Sequence, residues 1–316
     1  MMVKWRYGRF EFVPDTRRSL HNTRVKRTIV YEFWKKERLR LLEIESGLFF
    51  VGERNEEHRA MKHENFGLIS IIMAAYNAEK TIGQAISSVL NQTYPHFELL
   101  VVNDCSKDGT ERLVQSIAAK DNRVRLISNE RNSGVSYTRK HGLEETKGEW
   151  IAILDSDDAW APEKLEKQIE LQEKVNADLL FTGSAFMDAD GQPIDWYLPA
   201  PAEVTYRRLL KQNVLSNSSA LVRKKLYAKH YAVGDGMHED FAIWLSILKE
   251  GGKAYGVDEP LLIYRIAKSS KSGNKLKAAM MNWNTYRYVG LNPVSAIYYE
   301  CCYMVKGLLK YKNLKG

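Results

Sequence analysis

Residues 68–77 read LISIIMAAYN, and this stretch decides the fold of the chain. Its first eight residues are apolar apart from one serine, and the run ends at the polar pair Tyr76 and Asn77. A continuous apolar run of this length predicts a parallel strand that is buried on both faces of its sheet. Residues 81–91 follow with apolar side chains at helical spacing, which predicts a helix packed on that strand.

The same strand–helix alternation continues through the next eighty residues. Further strands are predicted at 97–102, 124–128 and 150–154, and further helices at 109–119, 136–146 and 162–175. Four such alternations predict an α/β domain with a mainly parallel sheet flanked by helices. In sheets of this kind ligands bind beyond the carboxyl ends of the strands.

The pattern changes near residue 192, because residues 192–201 contain three prolines. A second unit follows, with elements predicted at 204–211, 217–222, 238–250, 254–257 and 261–266. Helices at 28–42, 278–288 and 294–309 are predicted outside this core. The predicted divisions are a basic helical N-terminal extension over 1–66, an α/β domain over 67–266 with halves 67–190 and 191–266, and a basic helical C-terminal tail over 267–316.

Composition excludes several classes of protein. Hydrophobic residues make up 44% and charged residues 27% of the 316 positions, as in ordinary globular domains. The sequence contains no run of about 18 apolar residues, so we expect no membrane-spanning helix. The basic N-terminus lacks the apolar run of a secretory signal. The cysteines, Cys105, Cys301 and Cys302, have neither disulfide-framework nor metal-ligand spacing, so we expect a reducing, cytoplasmic location.

The net charge of +8 is concentrated at one end of the chain. Residues 1–40 hold 12 Lys and Arg against 4 Asp and Glu, a surplus equal to the whole net charge. Such an arm is attracted to polyanions, either anionic lipid or nucleic acid. No nucleic-acid motif supports the second option, so we expect no nucleic-acid partner.

Four polar residues, Asp155-Ser156-Asp157-Asp158, follow the fourth predicted strand. Crowded carboxylates are unfavourable unless a cation shares them. In an extended strand end, Asp155 and Asp157 point the same way, and hard oxygen ligands at an open site suit Mg²⁺ or Mn²⁺. The alternative is a cap for the helix predicted at 162–175, where Asp is favoured.

Two further residues leave two interpretations open. Asp104 follows the second strand and either accepts an imide N–H from a pyrimidine base or serves as a turn residue. Arg139 is expected in the first turn of the third helix if Ser136 caps it, where a cation opposes the helix dipole. An anion such as a diphosphate or the Asp155–Asp158 cluster explains Arg139, and a solvated surface charge is the alternative.

Glu239 and Asp240 open the helix predicted at 238–250. Acidic residues in a first turn are ordinary dipole complements. Trp244 lies one turn after Asp240 on the same face, so the pair suits a sugar, with the ring stacking and the acid taking a hydroxyl proton. The alternative for Trp244 is core packing.

Together these residues resemble family 2 inverting glycosyltransferases with the A-type glycosyltransferase fold. The similarity covers about residues 67–270, roughly two thirds of the chain, and its narrower form is to bacterial transferases of teichuronic-acid and O-antigen type. The strings that carry it are SIIMAAYNAEKTIGQAISSVLNQTYPHFELLVVNDCSKDGT (70–110), NSGVSYTRKHGL (132–143), GEWIAILDSDDAWAPEKLEKQ (148–168) and MHEDFAIWLSILKEGGKAYGVDEPLLIYRIAKSS (237–270).

The resemblance implies a role for each of these positions. Asp240 becomes the catalytic base and Asp157 the metal ligand for Mg²⁺ or Mn²⁺. Residues 237–270 resemble the acceptor half of the family, so Glu239 and Trp244 are the residues expected to bind the acceptor. The residues implied for the nucleotide sugar are Ala75, Tyr76, Asp104, Arg139, Asp155 and Ser156.

This chain departs from the family pattern at two positions after the second strand. The usual Asp-Asp-Gly-Ser reads Asn103-Asp104-Cys105-Ser106, so Asn103 replaces an acid and Cys105 replaces a glycine. Asp104 keeps the position that the resemblance assigns to a uridine base.

The expected activity is metal-assisted transfer of a sugar, with inversion, from a UDP-sugar to a hydroxyl group of a lipid-linked surface glycan. The alternatives are a polyprenyl-phosphate sugar transferase, which the basic residues 268–277 suit, and a membrane-attached assembly protein with an inactive transferase domain. The resemblance implies a peripheral protein on the cytoplasmic face of the inner membrane, and aromatic and basic residues in 1–40 and 294–309 suit docking to such an anionic surface. The alternative is that both segments pack on the catalytic domain or form a dimer contact.

Overall fold

The computed structural model describes residues 5–6, 9–10, 66–232, 234, 236–266 and 275–312. The helix predicted at 28–42 lies outside the described residues. In the first half the elements are β1 (Trp5–Arg6), β2 (Arg9–Phe10), β3 (Ile69–Ala75), α1 (Ile82–Leu90), β4 (Phe97–Asn103), α2 (Thr110–Ala118), β5 (Val124–Ser128), α3 (Val135–Glu144), β6 (Trp150–Ile153), β7 (Ala159–Trp160) and α4 (Lys164–Val175).

The remaining elements begin with the longest fully buried strand. They are β8 (Leu179–Met187), β9 (Pro193–Leu198), β10 (Glu203–Val204), α5 (Tyr206–Lys211), a 3₁₀ turn (Asn217–Ser219), β11 (Leu221–Arg223), α6 (Lys224–Lys229), α7 (Glu239–Lys249), β12 (Ala254–Arg265), α8 (Lys275–Tyr288) and α9 (Pro293–Lys312). Within the described part of the chain, no helix is both long enough and apolar enough to span a bilayer.

A ten-stranded sheet unites both halves of the domain. Its main order is β10-β12-β8-β11-β6-β3-β4-β5, with β7 paired to β12 and β9 paired to β8. Strand β3 runs parallel to both β4 and β6, while β11 inserts antiparallel between β6 and β8. The predicted halves therefore share one sheet, and the expectation of a mainly parallel sheet with flanking helices is confirmed.

Strand β3 supplies side chains to the cores on both faces of this sheet. Ile69, Ile71 and Met73 pack with α1 and α4 on one face, whereas Ile72 packs with residues of α3 and α7 on the other. Successive side chains of a strand point to opposite faces, so a strand covered on both sides is apolar throughout. The apolar run quoted above has this cause.

The structure corrects the sequence interpretation after residue 175. Strand β8 was not among the predicted elements, and the proline-containing segment 192–201 includes β9 rather than only an interruption. The strand pieces expected at 254–257 and 261–266 form one strand, β12, whose pairing with β8 shifts in register around Pro260. Proline cannot donate a backbone hydrogen bond, so a register shift there lets a single strand continue past it.

Candidate active site

The carboxyl ends of β3, β4 and β6 bring the predicted donor residues to one edge of the sheet. Ala75 is buried at the end of β3, and its carbonyl accepts a 2.8 Å hydrogen bond from the amide of Asp104, which follows β4. The neighbouring Tyr76 leaves 49% of its surface exposed. Asp155 to Asp158 follow β6 at the same edge.

Asp104 anchors the turn that leads into α3. One carboxylate oxygen accepts hydrogen bonds from Asn129 Nδ2 (2.7 Å) and the amide of Ser133 (2.8 Å), and the other accepts one from the amide of Gly134 (2.9 Å). Burial opposes ionisation of Asp104, but these hydrogen bonds outweigh it and lower its pKa. Asp104 was expected either to serve as a turn residue or to contact a pyrimidine base. The structure shows the turn role, and contact with the nucleotide base stays a prediction.

Cys105 adopts the left-handed backbone conformation, with φ of 58°. Only glycine reaches this region without steric cost from a Cβ atom. Its Sγ donates to the carbonyl of Asn129 at 3.1 Å. The glycine of the family pattern therefore has a physical reason here, and cysteine keeps the loop geometry at the expense of backbone strain.

The loop Asp155–Asp158 is held by Arg265, which the sequence analysis did not single out. Arg265 donates from Nε to the carbonyl of Asp157, and its own amide donates to Asp158 Oδ1, both at 2.9 Å. The amide of Asp155 donates to Ser218 Oγ at 3.2 Å. A lone arginine within the apolar segment 261–266 is the sequence signal that could have found this residue.

The helix-cap explanation of this acidic cluster is wrong. Helix α4 begins at Lys164, two residues later than predicted, and its N-cap is Glu163. The short strand β7, Ala159–Trp160, separates the cluster from that helix. The carboxylates of the cluster therefore have no capping role to account for them.

Electrostatics at this loop favour an added cation. Burial raises the pKa of Asp157, and repulsion from Asp155 raises it further; burial and both neighbouring carboxylates raise the pKa of Asp158 well above its usual range. Within the described residues, no group of three or more His, Cys, Asp or Glu could enclose a metal. The donor set fits Mg²⁺ or Mn²⁺ only as an open site with Asp157 as the protein ligand and a ligand's phosphate oxygens completing the shell.

Arg139 connects this loop to the other half of the domain. Arg139 was predicted in the first turn of α3. The helix begins at Val135, so Arg139 lies in its second turn instead. Its guanidinium is buried and forms ion pairs with Asp155 through Nη2 and with Glu239 through Nη1. Burial disfavours the charged form, but the two carboxylates outweigh it and hold the pKa of Arg139 well above its ordinary value. The predicted encounter with the acidic cluster is thus observed, and the solvated-surface alternative is wrong.

Helix α7 presents Glu239 and Asp240 at its first turn. Glu239 is engaged by Arg139, while Asp240 is partly exposed; burial raises the pKa of both carboxyl groups. Trp244 has no exposed surface and packs 5.8 Å from the ring of Tyr227. Its predicted contact with an acceptor sugar is therefore corrected to core packing, because the indole is buried in a hydrophobic cluster beside Tyr227 of α6.

Comparison with known proteins places this geometry among sugar-transferring enzymes. A family model described as glycosyl transferase family 2 matches residues 70–230. The chain is 38% identical over 222 residues to the putative teichuronic acid biosynthesis glycosyltransferase TuaG of Bacillus subtilis, covering 70% of this chain and 88% of that protein. It is 37% identical to the Escherichia coli UDP-Glc:alpha-D-GlcNAc-diphosphoundecaprenol beta-1,3-glucosyltransferase WfgD, covering 78% of this chain and 98% of that one.

Solved structures show the same fold at lower identity. The S. aureus TarS 1-349 structure in complex with UDP-GlcNAc superposes with a TM-score of 0.58 at 21% identity, over 72% of this chain and 69% of that one. The mannosyltransferase PcManGT from Pyrobaculum calidifontis, in complex with GDP-Man and Mn²⁺, gives a TM-score of 0.57 at 16% identity, over 74% and 68%. The expected A-type glycosyltransferase fold is thereby confirmed.

The strain at Cys105 leads to a prediction about stability. Replacement of Cys105 with glycine removes the Cβ penalty of about 1–2 kcal/mol, and the greater freedom of unfolded glycine offsets about 0.5–1 kcal/mol of that gain. Alanine is the matched control, because it also loses the Sγ contact but keeps the Cβ. We expect Cys105→Gly to exceed Cys105→Ala in free energy of unfolding, measured in urea, by about 1 kcal/mol. A Cys105→Ala variant more stable than Cys105→Gly by about 0.5–1 kcal/mol, the effect of the freedom of unfolded glycine alone, would show that the loop bears no strain at this position.

Proposed function

The chain belongs to glycosyl transferase family 2, and from that premise we propose that it transfers a sugar, with inversion, from a UDP-sugar to a hydroxyl group of a lipid-linked bacterial surface polysaccharide. The observation that carries the proposal is the ion-pair bridge through Arg139. It joins the acidic loop after β6 to the start of α7, two segments more than 80 residues apart in sequence. The proposal assigns the donor side of the site to the loop after β6 and the acceptor side to the start of α7.

The donor side is proposed to hold the nucleotide at the sheet edge. The half-exposed ring of Tyr76 is available for stacking, beside Ala75 and Asp104, and Asp155 and Ser156 lie where ribose and diphosphate are expected. Uridine as the base is supported by the UDP-Glc in the name of WfgD and by the TarS complex with UDP-GlcNAc. Because Arg139 is engaged by two carboxylates, we propose that it acts on the nucleotide through Asp155 and not by direct contact.

The metal proposal concerns Asp157. Mg²⁺ or Mn²⁺ bound there with the diphosphate would supply Lewis-acid neutralisation of the charge on the departing UDP. The raised pKa of Asp157 and the proximity of Asp155 support a cation at this point.

Asp240 is the proposed general base. Its carboxylate, at the start of α7, would remove the proton from the acceptor hydroxyl, and that oxygen would attack the anomeric carbon opposite the leaving diphosphate. Attack from the face opposite the leaving group inverts the configuration. Burial raises the pKa of Asp240, which increases the strength of its carboxylate as a base.

The polyprenyl-phosphate alternative depends on residues 268–277, most of which lie outside the described residues. The carboxylate of Asp240 suits a neutral hydroxyl acceptor better than a phosphate, since two anions repel. Trp244 is buried and offers no stacking surface to an acceptor of either kind. The inactive-protein alternative would need a broken acidic set, whereas Asp104, Asp157 and Asp240 are all present.

We further propose that the protein works as a peripheral protein on the anionic cytoplasmic face of the inner membrane. Helix α9 packs on the domain through Ala296, Tyr299 and Tyr303. Its opposite face carries apolar side chains at helical spacing that are all more than half exposed: Val294, Ile297, Tyr298 and Val305. An exposed apolar stripe followed by Lys306, Lys310, Lys312 and Lys315 suits an interface with anionic lipid.

The base assignment predicts a separation of binding from turnover. Asp240→Asn should lower kcat by about 10²–10⁴-fold, the usual contribution of a general base, and leave the Kd for UDP-sugar within about threefold of wild type. The acid limb of the wild-type pH–rate profile should lie above the ordinary pKa of Asp, because the base acts only when deprotonated and burial raises its pKa. Glu250→Gln, at the exposed far end of α7, is the control with unchanged kcat. A fall in donor affinity as large as the fall in kcat would place Asp240 in the donor site.

The metal assignment predicts that Asp157→Asn loses divalent-ion activation. Wild-type protein treated with EDTA should lose UDP release and regain it with Mn²⁺ or Mg²⁺, whereas the variant should not respond to either ion. Its thermal midpoint should be unchanged or higher, because burial already disfavours the ionised carboxyl group. Wild-type rates from the variant with Mn²⁺ supplied would overturn the assignment.

The membrane proposal predicts salt-sensitive binding to vesicles. Full-length protein should co-sediment with vesicles containing phosphatidylglycerol at low salt and be released at high salt, since each basic residue near anionic lipid contributes about 1 kcal/mol. The triple variant Val294→Ser, Ile297→Ser and Val305→Ser should bind less, while Tyr137→Ser, which alters an exposed tyrosine on α3, should bind as wild type. Unchanged sedimentation of the triple variant, or its conversion from dimer to monomer in ultracentrifugation, would assign the stripe to another role.

A further inference from the structure

We infer that Arg139 and Glu239 are positioning residues for the proposed base, Asp240. The continuous ion-pair bridge Asp155–Arg139–Glu239 fixes the position of the start of α7 relative to the loop after β6. The inference rests on the proposed function, because it gives the bridge a part in the transfer for which Asp240 is the base.

The burial of the bridge argues for a positional role. The side chains of Arg139 and Glu239 are each only 9% exposed, and that of Asp155 is 34% exposed. Desolvation of charges costs free energy, and apolar replacements of buried ion pairs are often neutral or stabilising. Stability is therefore a weak explanation for the bridge. A planar guanidinium with donors directed to two carboxylates, in contrast, fixes the distance and the angle between them.

Helix α3 presents Arg139 from a rigid support. The carboxylate of Asp104 binds the amides of Ser133 and Gly134 immediately before the helix. Near its other end, α3 approaches the sheet so closely that a Cβ atom on Gly142 would lie 2.8 Å from Ile72 Cγ2. These contacts at both ends of α3 fix the position of Arg139 relative to the sheet.

The same helix also holds the segment that leads into α7. The hydroxyl of Tyr231 donates to the carbonyl of Ser136 at 2.7 Å. The hydroxyl of Ser136 donates to the carbonyl of Ala232 at 3.3 Å and accepts from the amide of Gly234 at 3.2 Å. Arg139 and Ser136 thus fix the approach and the first turn of α7, and Asp240 follows Glu239 directly in that turn.

The charge of Arg139 also acts on the titration of Asp240. Burial raises the pKa of Asp240, and the positive charge of Arg139 opposes that rise. Removal of the cation should therefore move the acid limb of the pH–rate profile to higher pH. The other groups that face Asp240 are Asp155 from the loop after β6, Tyr227 from α6, and Glu239 and His238 beside it in sequence.

A double-mutant cycle on kcat tests the bridge. Arg139→Gln and Glu239→Gln should each lower kcat by about 10–100-fold, the scale of a misplaced catalytic group. The double variant should lose no more than Arg139→Gln alone, because both changes break the same contact. Lys140→Gln is the matched control: Lys140 is the next residue on α3, its side chain is 46% exposed, and its pairing with Glu144 is peripheral, so kcat should be unchanged.

Two further readouts separate positioning from a general loss of structure. Arg139→Lys keeps the charge but not the two-pronged geometry, so its acid limb should stay near that of wild type while kcat remains reduced. Glu239→Gln should bind UDP-sugar with a Kd within threefold of wild type and unfold at a similar temperature, which keeps the test valid if Arg139→Gln is poorly folded. Wild-type kcat in the single variants, or losses that multiply in the double variant, would overturn the inference while leaving the proposed function intact. Wild-type protein that transfers no sugar from any UDP-sugar would instead overturn the proposed function.

Discussion

The parallel pairing of β3 with β4 and β6 is the constraint on which the rest of the structure depends. Parallel strands all end at the same edge of their sheet, so the polar residues after each strand meet there without being close in sequence. Because β3 is covered by helices on both faces, its register is strongly specified. The backbone bond from Asp104 to Ala75 then links two of these strand ends directly.

A second constraint comes from collecting carboxylates at that edge. Negative groups close together and partly buried are unfavourable unless cations accompany them. Two arginines from distant segments of the chain supply positive charge near these carboxylates, and they bind in different ways. Arg265 donates from Nε to the carbonyl of Asp157 and from its own amide to the carboxylate of Asp158, whereas Arg139 pairs with two carboxylates from opposite halves. The cation proposed at Asp157 would complete the same balance of charge.

The shared sheet explains why Asp155 and Glu239, from opposite halves of the domain, lie close enough to pair with the same arginine. Strand β11 inserts between β6 and β8, and β12 pairs with β8, so segments from the second half lie within the sheet begun by the first. The start of α7 is thereby carried to the edge where β6 ends.

Local patterns in the sequence determined the strand–helix alternation of 68–175, the acidic loop after β6 and the acids at the start of α7, because each depends on periodicity or on strand ends that neighbouring residues define. Tertiary structure alone decided the rest. Trp244 lies in the core, and Asp104 anchors the turn before α3. Strand β8 lies within the sheet, and Arg265 binds the acidic loop. These outcomes depend on which surfaces meet across the sheet, and such contacts join residues far apart in sequence that no local pattern relates.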